Sequence, residues 1–260
     1  MRILLTNDDG INAPGLEALA HIAHEIAGAC GEVWIVAPAF EQSGVGHCIS
    51  YTNPVMITKL SKHKWSVRGT PADCVIAALH DILKDSPPDL VLSGVNRGNN
   101  SAENALYSGT LGGAMEGALQ GLPSFALSQF YGPAISESTT PFEAAEQHGA
   151  NVIRRLLACD VPKSNSYSIF YNINFPPVRA THVQGVRVVP QGLRPNKPFH
   201  VEPLKSPNGR RFLWIKGSNQ QVPSQPGTDA SANLEGFISV TPMRANLTDY
   251  DVVRSLKDLQ

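Results

Sequence analysis

Residues 3–9 read Ile3-Leu4-Leu5-Thr6-Asn7-Asp8-Asp9, an apolar run that begins almost at the first residue and stops on two adjacent carboxylates followed by Gly10. A short continuous apolar run ending in a turn signal is the pattern of a strand buried on both faces, as in a parallel sheet. Folds of that kind bind ligands beyond the carboxyl ends of their strands, where both acids would be delivered. Carboxylates this close repel one another unless one is protonated or a cation sits between them, and hard divalent cations take oxygen ligands. Asn, Asp and Gly are also favoured turn residues, so the tetrapeptide on its own reads more readily as a strand-to-helix connection with solvated acids.

The chain beyond it keeps an α/β rhythm. Pro14 followed by Leu16, Leu19, Ile22, Ala23 and Ile26 gives a helix with an apolar stripe, ended by Gly28 or Gly31, and Val33 to Pro38 is a second short buried strand. Strand, helix and strand at this spacing form a parallel βαβ unit. Residues 48–69 interleave apolar and polar positions and read as a hairpin inserted at the ligand end of the sheet, placed to cover a site. The rhythm resumes with helices over 71–83, 106–119 and 141–157 and strands over 89–93, 123–127 and 168–173. The expected architecture is α/β, a doubly wound, mostly parallel sheet over residues 1–185. From 186 to 260 prolines recur between Pro190 and Pro226, with only brief apolar runs such as Phe212 to Ile215. That stretch reads as extended arms, followed by a strand over 236–241 and a last helix from Thr248, a β-rich part for oligomerisation.

Composition narrows the function. With 260 residues, 42% hydrophobic and 17% charged, the chain can bury a full core. A formal net charge of -1 and the lack of any long basic block give no electrostatic reason for duplex nucleic acid or an anionic membrane as a partner. Cys30, Cys48, Cys74 and Cys159 show no Cys-x-x-Cys pair and read as reduced, mostly buried thiols. No segment approaches the ~20 apolar residues of a membrane span, so a cytoplasmic protein is expected.

Three polar clusters follow three expected parallel strands: Asn7-Asp8-Asp9-Gly10, Glu41-Gln42-Ser43-Gly44-Val45-Gly46-His47 and Gly94-Val95-Asn96-Arg97-Gly98-Asn99-Asn100. Together they offer Asp8, Asp9, Ser43 and Asn96, an all-oxygen set, with Gly44 and its neighbours letting backbone amides approach an anion. Oxygen donors without Cys or His favour Mg²⁺ or Mn²⁺ over zinc. Ser108, Gly109 and Thr110 open a helix and are candidate phosphate donors at its N-terminus. A metal beside an anion cradle points to phosphoryl chemistry.

Six ordered motifs then carry a resemblance. Leu5 to Gly10, Gln42-Ser43-Gly44, Gly69 to Val75, Ser93 to Gly98, Tyr107-Ser108-Gly109-Thr110 and Ser239-Val240-Thr241-Pro242 resemble the SurE family of stationary-phase survival phosphatases over nearly the whole chain. The resemblance implies a Rossmann-like core, a swapped C-terminal part forming dimers or tetramers, and a metal-dependent phosphomonoesterase acting on nucleoside 5′- and 3′-monophosphates. It places one divalent ion per subunit on Asp8, Asp9, Ser43 and Asn96; from the residues themselves, Asp8, Asp9 and Asn96 are expected to be catalytic and Ser43, Gly44, Ser108, Gly109 and Thr110 to bind substrate. The chain departs from the pattern at Ala102, where the family has Gly, and at Asn104, where it often has Asp.

Competing readings lose on motif chemistry. A dinucleotide oxidoreductase wants Gly-x-Gly-x-x-Gly after the first strand, where this chain has two acids, and no P-loop motif occurs. A phosphoaspartate enzyme wants Asp-x-Asp, and Ser43 lacks the Gly-x-Ser-x-Gly elbow of an α/β-hydrolase. A nucleotide-sensing module that binds without turnover is the non-enzymatic alternative. His47 reads as a hydrogen-bonding loop residue rather than a leaving-group acid. His21 and His24, near Glu17 and Glu25, read as helix-surface ion pairs, and Tyr51 and Trp65 as small satellite cores rather than a platform for a nucleobase.

Overall fold

The computed structural model describes residues 1–132, 135, 138, 140–160, 167–195, 199–256 and 259, which leaves Pro198 outside. Along the chain run β1 (Arg2–Thr6), α1 (Pro14–Ala27), β2 (Glu32–Pro38), β3 (Ile57–Ser61), β4 (Lys64–Val67), α2 (Pro71–Ala77), β5 (Leu90–Arg97) and α3 (Gly109–Leu119). They are followed by β6 (Ser124–Gln129), α4 (Glu143–Leu157), β7 (Phe170–Phe175), β8 (Val186–Val188), β9 (Phe199–Lys205), β10 (Arg211–Gly217), α5 (Asp229–Leu234), β11 (Ile238–Met243) and α6 (Tyr250–Ser255).

Among the described residues, one 9-stranded sheet has the order β3-β4-β2-β1-β5-β6-β7-β11-β8, and β9 and β10 form a separate antiparallel pair. β1 lies between β2 and β5, parallel to both. Its alternation serves two layers. Ile3 and Leu5 enter a core with Leu19 and Ile22 of α1 and Ile153 of α4, while Leu4 enters another with Val36, Val91 and Val75 of α2. Each such side chain, fully buried, contributes roughly 1.5–3 kcal/mol of hydrophobic stabilisation before entropy. The winding reverses direction at β1, with β2 on one side and β5 on the other. That topological switch opens a crevice at the carboxyl ends of these three strands; two polar clusters follow β1 and β2, while the third begins inside β5, which runs on to Arg97 instead of ending at the expected Ser93.

Several boundaries differ from the sequence expectation. The α-helix from Pro71 ends at Ala77 and continues as a π-helical turn over Ala78–Ile82, because the Leu83 amide reaches the Ala78 carbonyl and carries Leu83 into the core. α3 starts at Gly109, not Leu106: Ser108 is extended and its Oγ accepts from the Leu111 amide at 3.1 Å, so residues before it form a separate 3₁₀ turn, Ala102–Leu106. The last helix is capped by Asp249 rather than Thr248, its carboxylate accepting from the Asp251 and Val252 amides, each at 3.0 Å.

The hairpin expected over 48–69 spans only β3 and β4. β4 pairs in parallel with β2, and Val67 and Trp65 pack onto the core around Leu4 and Val36, so the hairpin extends the sheet instead of covering its ligand end. The boundary expected at 185/186 is likewise not a structural break. β8 and β11 complete the main sheet, because Ile238 and Val240 are buried in the same core as β1, and α5 is buried as well. β9 and β10 stand out as an arm, leaving Phe212, Leu213, Trp214 and Ile215 exposed, and α6 also has no buried residue. Among the described residues no helix is long and apolar enough to cross a membrane.

Candidate active site

β1 ends at Thr6, and Asn7 closes the turn beyond it: its Nδ2 donates to the Gly10 carbonyl at 2.9 Å and its Oδ1 accepts from the Gly10 amide at 3.2 Å. Gly10 sits at φ 101°, a conformation that L side chains rarely adopt. The turn takes Asp8 and Asp9 out of strand alternation, so both carboxylates line one cavity of about 740 Å³. Ser43, Gly44, Asn96 and Ser108 line the same cavity. The loop carrying Ser43 is tied down by the Gln42 amide, which donates to the Asp8 carbonyl at 2.7 Å.

Each of the four expected metal ligands is oriented by a hydrogen bond that leaves an oxygen over. Thr110 Oγ1 donates to Asp8 Oδ1 at 2.5 Å, and the Arg97 amide to Asp9 Oδ2 at 3.1 Å. Ser43 Oγ donates to Glu41 Oε1 at 2.8 Å, keeping its lone pairs, and Asn96 Nδ2 donates to the Gly98 carbonyl at 3.0 Å, keeping Oδ1. Partners of this kind orient metal ligands. Among the described residues no three His, Cys, Asp or Glu side chains converge on a cation site. An ion held here would therefore draw on hydroxyl and amide oxygens beside Asp8 and Asp9, a donor set suited to Mg²⁺ or Mn²⁺.

Electrostatics agree with that donor set. Burial pushes the Asp8 carboxyl up to about 6; the Thr110 hydrogen bond opposes the rise and the charge of Asp9 adds to it. Burial also raises Asp9, against the Arg97 amide that stabilises its charge. Two acids held at raised pKa beside one another are what a divalent cation would relieve.

The expected phosphate donors separate. Ser108 lines the cavity, but Gly109 and Thr110 do not. The Thr110 hydroxyl is committed to Asp8, and a Cβ on Gly109 would stand 2.8 Å from the Asp8 Cβ, so the first turn of α3 serves mainly to hold Asp8. His47 does not line the cavity; its Nε2 lies 2.7 Å from Glu116 Oε2. Burial alone would raise the Glu116 carboxyl, but hydrogen bonds from His47 and Gln120 hold it below its ordinary value. His21 pairs with Glu146 on α4 at 3.0 Å and Glu25 with Arg154 at 2.7 Å, so the helix-surface pairs run between α1 and α4 rather than within α1. Gly69 to Val75 is architectural: Thr70 and Asp73 form a capping box, and Asp73 also accepts from the Ser50 amide and hydroxyl.

Sequence reasoning missed the aromatic part of the cavity. Tyr51 is 88% exposed and, like Trp65, is not at the site. Tyr107, Tyr131, Phe142 and Phe199 line it instead, and the Arg97 guanidinium lies 5.2 Å from the Tyr131 ring centroid. Tyr107 stood inside a quoted motif, but nothing in the spacing of Phe199, on the far side of the chain, signalled it.

A family model described as Survival protein SurE matches residues 3–197. A protein of Ruegeria sp. (strain TM1040) named 5′-nucleotidase SurE is 63% identical over 260 residues, covering 100% of each chain. One of the same name from Roseobacter denitrificans is 62% identical over 256 residues, covering 98% of each. The crystal structure of the SurE protein from Aquifex aeolicus superposes with a TM-score of 0.81 at 38% identity, covering 100% of this chain and 99% of that one.

Proposed function

This chain belongs to the SurE family, and from that membership we infer that it is a 5′-nucleotidase, a metal-dependent phosphomonoesterase that hydrolyses nucleoside 5′- and 3′-monophosphates to nucleoside and phosphate. The observation that carries the reading is the convergence of Asp8, Asp9, Ser43 and Asn96, from the ends of three adjacent parallel strands, on one cavity. In this reading the four hold one Mg²⁺ or Mn²⁺ ion per subunit. When bound, the ion neutralises phosphate charge and lowers the pKa of water, so that a nucleophile is available near neutral pH.

The chain's own groups do the rest. Ser108 Oγ, which accepts from the Leu111 amide and so keeps its own hydrogen to donate, binds a phosphate oxygen as charge develops in the transition state. Arg97, at the cavity wall, supplies a positive side chain beside the acids and lowers the cost of bringing in a dianion. Asn96 is oriented by Gly98, and Thr110 keeps Asp8 from rotating. Gly44 leaves room for the phosphate beside Ser43.

Assembly and location follow the same reading. The apolar residues that the arm exposes, Phe212 to Ile215, fit a homodimer or tetramer in which arms find burial on another subunit. All four cysteines are free, which suits the reducing cytoplasm, although Cys30, Cys48 and Cys159 are exposed and only Cys74 is buried, against the expectation of mostly buried thiols. The test is phosphate release from nucleotides after metal stripping and add-back. Chelation should abolish it and Mg²⁺ or Mn²⁺ restore it, and Asp8→Asn and Asp9→Asn should each lose at least ~10²-fold in turnover. Full activity in rigorously metal-free enzyme would remove the metal site from the account. Binding of nucleotide without turnover in the loaded protein would select the sensing module instead.

A further inference from the structure

Arg194 is 5% exposed, an unusual depth for an arginine with no catalytic task assigned to it. It lies between β8 and β9, at the root of the arm, and grips the loop that leaves Asn96. Its Nη1 donates to the Ser101 carbonyl at 3.1 Å and to Glu103 Oε1 at 3.0 Å, and its Nη2 to Ser101 Oγ at 2.8 Å. Gln191 adds a bond to the Ala102 carbonyl at 2.8 Å. Five residues beyond Arg194, Phe199 meets Tyr107 edge to face, with ring centroids 4.9 Å apart and planes at 90°. Both rings line the cavity that holds Asp8 and Asp9, and so does Gly217, the partner of Phe199 across the β9–β10 pair. The arm therefore supplies a wall of its own subunit's cavity.

We propose that Arg194 is a positioning residue for nucleoside recognition: by clamping the arm root to Ser101 and Glu103 it sets Phe199 against Tyr107 as an aromatic wall for the substrate's base. The inference rests on the reading above, in which phosphate occupies the Asp8–Asp9 end. A cavity of about 740 Å³ is far larger than a phosphate needs and falls in the size range of small-molecule sites. The aromatic lining offers a flat apolar face to any base, and stacking of this kind tolerates different bases. A planar guanidinium with forked donors holds both a carbonyl and a carboxylate in fixed relation, which a lysine cannot do.

The test compares a purine nucleoside 5′-monophosphate with glycerol phosphate, which has no base, on the metal-loaded full chain. Arg194→Ala should raise KM for the nucleotide about tenfold with kcat within about twofold, and leave both constants for glycerol phosphate within about twofold. Arg194→Lys should fall between wild type and Arg194→Ala. Phe199→Ala should raise nucleotide KM to a similar extent, and the double variant should be no worse than either single one, because both remove the same wall. If Arg194→Ala does not accumulate as folded protein, Glu103→Gln carries the same comparison. Equal losses on both substrates, an unchanged nucleotide KM, or additive losses in the double variant would overturn the proposal. Wild-type enzyme that released phosphate from neither substrate would instead overturn the underlying reading of the site.

Discussion

Thr110 Oγ1 donates to Asp8 Oδ1 at 2.5 Å across 102 positions of sequence, joining the first turn of α3 to the end of β1. The bond fixes the rotamer of a carboxylate that is almost wholly buried, and it leaves the second oxygen for the cavity. Thr110→Val keeps the shape and removes the donor. It should weaken Mn²⁺ binding by about tenfold, the usual cost of losing an outer-shell partner, as read by calorimetric titration. Unchanged affinity would show that Asp8 is held by packing against Gly109 alone.

The same carboxyl makes stability depend on pH in the metal-free protein. Its folded value, about 6, lies above the ordinary 3.8, because burial disfavours the charge and Asp9 adds to it. The native state thus keeps its proton longer than the unfolded chain. The stability this contributes is fully present below about pH 4 and is lost as pH rises through 6, a swing of roughly 3 kcal/mol. Thermal melts of chelated protein from pH 4 to 8 should show that decline, and Asp8→Asn should flatten it and melt higher than wild type at pH 8.

Among the described residues that line the cavity there is no histidine to activate a serine as a covalent nucleophile. Ser43 Oγ is turned to Glu41, without a histidine beside it, and His47 pairs with Glu116 away from the cavity. Hydrolysis by direct attack of water should therefore invert configuration at phosphorus in a chiral phosphate ester. Net retention, or a trapped phosphoenzyme, would require covalent catalysis.

Ala102 stands at φ 52°, buried, in a backbone conformation that favours Gly. Its amide donates to Asp229 Oδ2 at 3.0 Å and its carbonyl accepts from Gln191, so both ends of the residue are held in that conformation. An L residue there costs about 1–2 kcal/mol, while Gly would add unfolded-state entropy of about 0.4–1 kcal/mol. Ala102→Gly should be neutral or slightly stabilising in denaturant melts. Ala102→Val, branched at Cβ and without room, should lose about 2 kcal/mol or more.

The exposed run on β10 makes a prediction about assembly. Phe212→Ser with Trp214→Ser should shift light scattering from dimer or tetramer toward monomer, each large side chain having contributed roughly 1.5–3 kcal/mol when buried. A wild-type chain that scatters as a stable monomer at micromolar concentration would refute the oligomer and leave the catalytic assignment standing.

The amino-acid sequence by itself determined the parallel α/β core and the ends of its strands. Continuous apolar runs such as Ile3 to Leu5 can be buried only on two faces, and the residues that interrupt them, Asp8, Asp9, Ser43 and Asn96, must then lie at one edge of the sheet. Local chemistry was legible too: Pro14 at a helix start and Gly10 in a turn follow from short-range sterics. What lay beyond reach was whatever depends on a partner distant in the chain. That the Thr110 hydroxyl donates to Asp8, that β4 joins β2, and that β8 and β11 return to finish the sheet are choices between alternatives with similar local energies. Arg194 and Phe199 belong to the same class. A lone arginine and a lone phenylalanine in a proline-rich stretch carry no periodicity, and only the packed fold, by burying one against Ser101 and Glu103 and standing the other against Tyr107, decides which polar groups must find one another once water is excluded.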